Sequence, residues 1–256
     1  MNILTLISIE FKKIRRSHIL PVLLAAVLIL WVFSVAHADT HFDMGDVGIS
    51  PENSFLVQGF LGMSWFLFPA SMVVGTVLLI QNERSGRGML KMLSLPVSTP
   101  ALCLAKFTVL LALAAIQILM HVAAWFLSAL VAGQIQHYSF LVDPLFALSR
   151  AGILYLSAIP MTAFFWMLAV CIRTPVFSVG AGLASIVPSV LIMNTKAWFL
   201  YPMCYPFYVM TAEYGKLASR LSTWEVDLVP WIPVAVLMTL LFLAIACFFF
   251  GRAERR

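Results

Sequence analysis

The membrane architecture of this chain can be seen in "GFLGMSWFLFPASMVVGTVLLI" (59–80) and the segment that follows it, "QNERSGRGMLKMLSLPVSTP" (81–100). The first run is apolar, the second is charged, and a further apolar run begins at residue 105. A helix needs about 20 apolar residues to cross the hydrocarbon core of a bilayer. The pattern therefore predicts two spanning helices joined by a short polar segment at one membrane surface.

The composition of the whole chain agrees with this reading. Of its 256 residues, 62% are hydrophobic and 11% are charged, and the mean hydropathy is +0.99. Soluble domains have about 45–50% apolar and about 25% charged residues. A soluble core cannot hold this much apolar surface, so the excess must face lipid.

Six apolar runs are long enough to span a bilayer, and they lack the two-residue alternation of membrane barrel strands. We predict an all-α integral membrane protein whose spans are residues 19–36, 59–80, 105–132, 146–171, 175–193 and 231–250. The first run is followed by no small-residue cleavage site. It is therefore predicted to be a span and not a cleaved signal peptide.

The basic residues predict the orientation of the spans. With a cytoplasmic N-terminus, twelve of the sixteen Lys and Arg residues lie in inner segments, and eight of the eleven acidic residues lie in outer ones. This bias is the positive-inside pattern of membrane proteins. We predict that both termini are cytoplasmic. The basic residues are scattered and are not interleaved with aromatic residues, so no nucleic-acid partner is expected.

The outer loop at 37–52 contains five residues that could bind a metal ion. They are His37, Asp39, His41, Asp43 and Asp46. Imidazole and carboxylate suit zinc or copper, but no closed ligand set is visible, and acidic outer loops are expected from the topology alone. We predict no metal site. The four cysteines lack disulfide spacing, so no disulfide is expected.

Residues 81–100 are predicted to form an amphipathic cytoplasmic helix. On a helical wheel, its polar residues fall within about 100° of one another. This face consists of Glu83, Arg84, Arg87, Lys91 and Ser94, and the apolar face consists of Met89, Leu90, Met92 and Leu93. A solvated loop would also satisfy the positive-inside rule. Separation of charges and methionines onto two faces favours a protein partner.

The N-terminal segment 1–18 shows a similar pattern. Its predicted apolar stripe is Ile3, Leu4, Ile7, Phe11 and Ile14. Its polar face is Thr5, Ser8, Lys12, Arg15 and Arg16, with Lys13 in the same basic cluster and with Glu10 and Ile9 as exceptions. A helix of this kind lies in the lipid headgroup plane. A simple topology anchor is the alternative, but the stripe favours an interfacial helix.

These features resemble an ABC-2-type permease, the membrane part of a type V ABC exporter. The resemblance lies in the basic N-terminal helix, the six spans and "ERSGRGMLKMLSLPVSTPALCLAK" after the second span, which ends at Lys106. The small size and "LYPMCYPFYV" (200–209) are similar to permeases of lantibiotic immunity and bacitracin resistance. Arg87 departs from the family pattern, which often has Thr there.

The resemblance implies that residues 81–100 are a coupling helix that docks on a separate ATP-binding subunit. The implied coupling residues are Glu83, Arg84, Gly86, Arg87, Gly88, Met89, Leu90, Lys91, Met92, Leu93 and Pro96. It also implies a second permease copy or a paralogue, contact with membrane lipid, and a prokaryotic cytoplasmic membrane. The expected activity is outward transport of an amphipathic substrate, such as an antimicrobial peptide or drug, and hence antibiotic resistance.

The chain itself is not expected to be an enzyme. It contains no G-x-x-x-x-G-K-[ST] phosphate-binding loop. ATP and magnesium are therefore expected on the partner, and no cofactor is expected on this chain. Two alternatives stay open: a stand-alone ion-coupled carrier or channel, which predicts paired intramembrane acids or broken helices in matching halves, and a non-transporting membrane anchor subunit.

Residues 194–230 are rich in aromatic side chains, which belong at membrane interfaces. Pro202 and Pro206 interrupt any long helix here, so we predict a re-entrant segment between spans five and six. By analogy with the family, Tyr201, Pro202, Tyr205 and Pro206 would cap the outer end of a transport path. An ordinary aromatic belt with a loop is the alternative.

Two further sets of residues lie within the predicted spans. Gln117, His121 and Trp125 share one face of the third span, and we expect a helix–helix hydrogen bond there more than a functional site. Small residues suit close helix packing. In this family the second and fifth spans line the dimer interface, so the candidates for a path wall or dimer contact are Ser64, Ser71, Gly75, Thr76, Gly180 and Gly182.

Overall fold

The computed structural model describes residues 3–14, 17, 19–42, 48–84, 98–139, 143–218 and 226–250. Every regular element in these ranges is helical. The α-helices are α1 (Ile3–Ile14), α2 (Ile19–Ala36), α3 (Ala38–Phe42), α4 (Pro51–Gly62), α5 (Phe68–Arg84), α6 (Thr99–Ile135), α7 (Pro144–Ser157), α8 (Ile159–Cys171), α9 (Pro175–Ile186), α10 (Ser189–Ile192), α11 (Tyr205–Leu217) and α12 (Leu228–Phe250).

The prediction of an all-α membrane protein is confirmed. Five helical stretches are long and apolar enough to cross a membrane, and the bent pair α7–α8 makes a sixth if it is counted as one span. The first predicted span, 19–36, coincides with α2. The third is longer than the predicted 105–132, because α6 runs from Thr99 to Ile135.

The second span begins earlier than residue 59. Pro51 opens α4, and the Ser50 hydroxyl caps it by accepting a hydrogen bond from the Asn53 backbone N–H at 3.4 Å. A π-helical turn at Met63–Leu67 joins α4 to α5, so that helix is continuous from Pro51 to Gln81. The polar sequence at 51–54 conceals this start, because its residues favour helix caps more than apolar spans.

The fourth span is bent by 41° between α7 and α8. Pro160 stands in the first turn of α8, where a missing N–H and a fixed backbone angle favour the start of a new helix. The N-terminal end of α7 is capped by Asp143, whose carboxylate accepts the Leu145 N–H at 2.9 Å. The bend separates α7 from α12, whereas α8 stays packed against α12.

Helix α6 lies at the centre of the fold and packs against α1, α2, α7 and α12. By contrast, only 6% of the most apolar window of α12 is buried within the chain. Its exposed side chains are leucines, valines and other apolar residues. Such a surface is stable only against lipid or another protein.

Candidate functional site

A buried ion pair joins the N-terminal helix to the third span. Nζ of Lys106, on α6, lies 2.5 Å from Oε2 of Glu10, on α1, and both side chains are almost fully buried. Lys13 adds a second contact to the same carboxylate, at 2.6 Å, from a side chain that is 41% exposed. The three charges form one cluster near the N-terminal end of α6. This is the end that the predicted coupling segment, residues 81–100, leads into.

The protonation of Glu10 follows from this setting. Burial alone would raise the pKa of its carboxyl group, because the charged form loses its hydration. Attraction to Lys106 and hydrogen bonds from Lys106 and Lys13 outweigh burial, so the pKa of Glu10 lies below its ordinary value. Glu10 is therefore a carboxylate at neutral pH.

The buried face of α1 differs from the predicted apolar stripe. Leu6, Glu10 and Ile14 are buried, whereas Leu4 and Phe11 are exposed. The Lys106 amine attracts the Glu10 carboxylate and turns this edge of the helix towards α6. Lys12 and Lys13 lie on the exposed side. Arg15 and Arg16, the other two basic residues predicted for the interfacial helix, lie outside the described residues.

The predicted coupling helix lies almost entirely outside the described residues. The helical backbone of α5 ends at Arg84, and α6 begins at Thr99 after Ser98. The structure says nothing of the side chains of Glu83 and Arg84, nor of Gly86, Arg87, Gly88, Met89, Leu90, Lys91, Met92, Leu93 and Pro96. Their proposed roles remain predictions. What the structure fixes is that this segment directly connects the second and third spans.

Gln117 and His121 of the third span make helix–helix hydrogen bonds, as predicted, whereas Nε1 of Trp125 has no hydrogen-bond partner among the described residues. The indole N–H of Trp31, on α2, donates to Nδ1 of His121 at 3.1 Å. The hydroxyl of Ser71, on α5, donates to Oε1 of Gln117 at 2.8 Å. Because His121 accepts at Nδ1, its neutral ring carries the proton on Nε2. These bonds tie α2, α5 and α6 together.

Most of the small residues predicted to line a path or a dimer contact are buried within one chain. Those buried are Ser64, Ser71, Gly75, Thr76 and Gly182. Gly182 allows α9 to approach α5 closely, since a Cβ added there would lie 2.7 Å from Cγ1 of Val73. Gly180 is exposed, and a Cβ added there would meet nothing within 4 Å.

The residues proposed as an outer cap lie in a segment that folds back along α9 and α10. Two short 3₁₀ turns, Trp198–Leu200 and Pro202–Cys204, precede α11. The Tyr201 hydroxyl donates to the Ser185 carbonyl, and the Tyr205 hydroxyl donates to the Phe199 carbonyl. Pro202 and Pro206 are buried, and Pro206 stands in the first turn of α11.

A second ion-pair cluster anchors this returning segment to the fourth span. Glu213, on α11, lies 2.5 Å from Arg150 on α7 and 2.9 Å from Lys216. Arg150 also stands over the ring of Phe146, 4.6 Å from its centroid. The side chain of Lys216 is about half exposed. The cluster thus carries one net positive charge near the surface.

The family model of the ABC-2 family transporter proteins matches residues 6–193, which is most of the sequence. The chain belongs to the ABC-2 transporter family. An ABC-2 permease is a membrane subunit and not the ATPase, so membership implies an ABC ATP-binding subunit as a partner. A search of curated proteins and a search of solved structures gave no match.

The matched range of this ABC-2 chain includes α1 from Leu6 onward and continues to the end of α10. It therefore contains the Glu10–Lys106 pair, which the sequence analysis did not find. Two signals were present: an acid within a basic amphipathic helix, and a lysine at the start of an apolar span. Neither signal identifies the other residue as its partner.

The candidate metal residues of the outer loop are not brought together as far as the structure describes them. Nδ1 of His37 lies 3.1 Å from the Phe33 carbonyl, and Asp39 is exposed. Asp43 and Asp46 lie outside the described residues, as does the side chain of His41. Within the described ranges, no three His, Cys, Asp or Glu side chains form a group that could hold a metal ion.

Proposed function

We propose that this chain is the permease subunit of an ATP-driven exporter. Two permease copies, or this chain and a paralogue, would work with two ATP-binding subunits in a prokaryotic cytoplasmic membrane. ATP and magnesium would bind the partner subunits. Family membership supports the assignment, because it supplies both the membrane role and the class of partner.

The position of the predicted coupling segment, residues 81–100, supports the coupling proposal. Its first residues form the last turn of α5, its last two residues open α6, and α6 is tied to α1 by the Glu10–Lys106 pair. A displacement of the segment by a partner would therefore act on the second span, the third span and α1 together. Packed helices transmit such displacements because they shift as rigid elements.

An amphipathic or lipophilic substrate, such as an antimicrobial peptide or a drug, suits the interior of the described spans. Trp31 bonds to His121 and Ser71 bonds to Gln117 across helices, while Nε2 of Gln117, Nε2 of His121 and Nε1 of Trp125 have no hydrogen-bond partner among the described residues. Apart from these few polar atoms the interior is apolar, so most affinity for a substrate would come from apolar burial, which is common in sites for small lipophilic molecules. Export and antibiotic resistance rest on the family resemblance and on the predicted orientation.

A dimer contact through α9 is supported by its exposure. Only 22% of the span Pro175–Ile192 is buried within one chain. Gly180 is exposed on this span, with open space around it, and Val176 and Val187 are also exposed. A small residue between larger apolar ones allows another helix to approach closely.

Co-purification tests the coupling proposal. The chain is expressed with its neighbouring genes and purified in mild detergent, as wild type and as the double variant Glu83→Ala plus Leu93→Asp. An ATP-hydrolysing subunit should accompany the wild type and be lost from the double variant. A matched control is Asn194→Ala plus Lys196→Asp, which changes two exposed residues in the loop after α10.

The control variant should retain the ATPase. If the chain purifies alone and transports a solute without ATP, the stand-alone carrier replaces the exporter. If the ATPase binds but no substrate of any class stimulates hydrolysis or crosses the membrane, the chain is a non-transporting anchor subunit.

A further inference from the structure

A pocket of about 510 Å³ lies between the bent fourth span and α12. It exists because α7 diverges from α12 at the 41° bend, while α8 remains packed against it. One wall includes Leu156, Ser157 and Pro160, and the opposite wall includes Ala235 and Thr239. This pocket takes no part in the coupling or dimer contacts proposed above.

The chemistry of the lining selects an apolar ligand. The Ser157 hydroxyl donates to the Leu154 carbonyl at 2.9 Å, and the Thr239 hydroxyl donates to the Ala235 carbonyl at 2.7 Å. Both hydroxyl groups are therefore used by the backbone of their own helices. The Tyr205 hydroxyl is used by the Phe199 carbonyl, and the indole nitrogen of Trp231 is buried without a hydrogen-bond partner among the described residues. The rest of the lining is hydrocarbon, so a ligand gains affinity by removing apolar surface from its surroundings.

The mouth of the pocket opens towards the membrane. Its rim includes Leu156, Val236 and Leu240, each more than half exposed. All three belong to spanning helices, whose exposed apolar side chains face the hydrocarbon of a bilayer. A ligand therefore reaches the pocket sideways from the lipid and not from water.

The length and one end of the pocket match a lipid. The α12 wall extends over the ten residues from Trp231 to Leu240, a rise of about 14 Å at about 1.5 Å per residue. Arg150 lies one helical turn beyond the pocket wall at Ile153, on the same face of α7 by spacing. Arg150, Glu213 and Lys216 together carry one net positive charge there. An anionic headgroup is attracted to such a site.

We propose that this pocket binds one acyl chain of an anionic phospholipid. The chain lies along α12 from Trp231 to Leu240, and the phosphate lies beside Arg150 and Lys216. The lipid belongs to the leaflet at the Trp231 end of α12, which is the outer leaflet in the predicted orientation. A bound lipid fills the gap that the bend leaves between α7 and α12.

Photolabelling of the purified full chain, without an ATPase subunit, tests this site. Nanodiscs of phosphatidylcholine receive increasing fractions of phosphatidylglycerol with a diazirine on one acyl chain, and mass spectrometry locates the label. Labelling of 153–160 and 231–240 should saturate at a low probe fraction. Labelling of exposed positions of α6, at Leu119 and Leu127, should rise in proportion to the probe.

Two variants of α12 form a matched pair. Ala235→Phe places a ring in the pocket and should reduce pocket labelling roughly tenfold, because the ring takes the volume that the acyl chain needs. Ala244→Phe adds the same ring at an exposed position of the same helix and should leave pocket labelling unchanged. Equal labelling of the pocket in both variants would overturn the proposal.

The headgroup contact has its own test, which does not alter the pocket wall. Lys216→Gln should reduce the preference for phosphatidylglycerol over an equivalent phosphatidylcholine probe by about fivefold, the effect of one lysine near an anionic lipid surface. Equal pocket labelling by both probes in the wild type would refute the anionic lipid. Labelling of the pocket residues that rises in proportion to the probe fraction without saturating would refute the site. Cross-links between the α12 helices of two copies, with no lipid label in the pocket, would also refute it.

Discussion

Lys106 of the third span and Glu10 of the N-terminal helix form an ion pair with an N–O distance of 2.5 Å, buried where the two helices meet. Lys106 follows the start of α6 at Thr99 by two helical turns. The N-terminal helix is therefore attached near the N-terminal end of the third span. The predicted coupling segment, residues 81–100, leads into the same end.

Glu10→Gln should destabilise the protein and release α1 from α6. The substitution keeps the shape of the side chain but leaves the buried amine of Lys106 without this carboxylate. Removal of one partner of a buried pair costs about 3 kcal/mol or more. Thermal unfolding in detergent measures the loss of stability. Relative to the wild type, the rate of hydrogen exchange should increase more in residues 3–14 than in α9.

Lys13→Gln is the matched control, because Lys13 contacts the same carboxylate from a side chain that is 41% exposed. An exposed ion pair contributes about 0–1 kcal/mol, so this variant should stay close to the wild type. The double variant Glu10→Leu plus Lys106→Met should regain stability, since apolar pairs often replace buried ion pairs without loss. Equal effects of Glu10→Gln and Lys13→Gln would show that burial of the pair is unimportant.

The same pair predicts an acid limit to stability. The pKa of Glu10 in the folded chain lies below its ordinary value, which is about 4.3 in an unfolded chain. The contribution of Glu10 is thus fully present above about pH 4.3 and is lost as the pH falls through the folded pKa. The stability difference between wild type and Glu10→Gln should be constant from about pH 5.5 to 8 and should shrink in acid.

Lys106→Met provides the comparison for this pH dependence. Without the Lys106 amine, the pKa of Glu10 should be lowered less, because burial still opposes the charged form and only Lys13 remains to favour it. The stability lost in acid should then be smaller than in the wild type. A wild-type difference that shrinks on the alkaline side of neutrality would contradict the pairing. The measurement is the unfolding midpoint of the wild type, Glu10→Gln and Lys106→Met across the pH range.

The spans could be predicted from the sequence because apolar run length is a local property. The match of α2 with the predicted 19–36 illustrates this. The start of the second span at Pro51 was missed, since the residues after Ser50 are polar. The Glu10–Lys106 contact joins residues 96 positions apart, and no local pattern specifies such a partner. The residues predicted for coupling to the ATPase stay predictions.

Gly182→Ala should disturb the contact between α9 and α5. Its Cβ would lie 2.7 Å and 2.8 Å from the two γ carbons of Val73, which is too close for carbon atoms. Overpacking of this kind costs about 1–3 kcal/mol. Val73→Ala removes both γ carbons, so Gly182→Ala plus Val73→Ala should recover part of the loss. Unfolding midpoints of the single and double variants in detergent give the coupling energy between Gly182 and Val73.

Gly180→Ala is the control for this pair, because a Cβ at residue 180 meets nothing within 4 Å in one chain. Its unfolding midpoint as a monomer should be equal to or slightly above that of the wild type, because alanine favours a helix more than glycine does by about 1 kcal/mol. If α9 forms the proposed dimer contact, the bulkier Gly180→Leu should lower dimer affinity without lowering monomer stability. A strong loss of monomer stability in Gly180→Ala would contradict the open space around Gly180 on α9.

The Trp31–His121 bond should stabilise the fold without taking part in transport. His121→Leu leaves the Trp31 N–H without its acceptor, and Trp31→Phe leaves the ring of His121 without its donor. Hydrogen bonds between spanning helices contribute about 0.6–1.7 kcal/mol, so the double-mutant cycle should give a coupling energy of about 1 kcal/mol. Transport per folded molecule should be retained in both single variants. A loss of transport with unchanged stability in His121→Leu would instead make His121 a functional residue of the span.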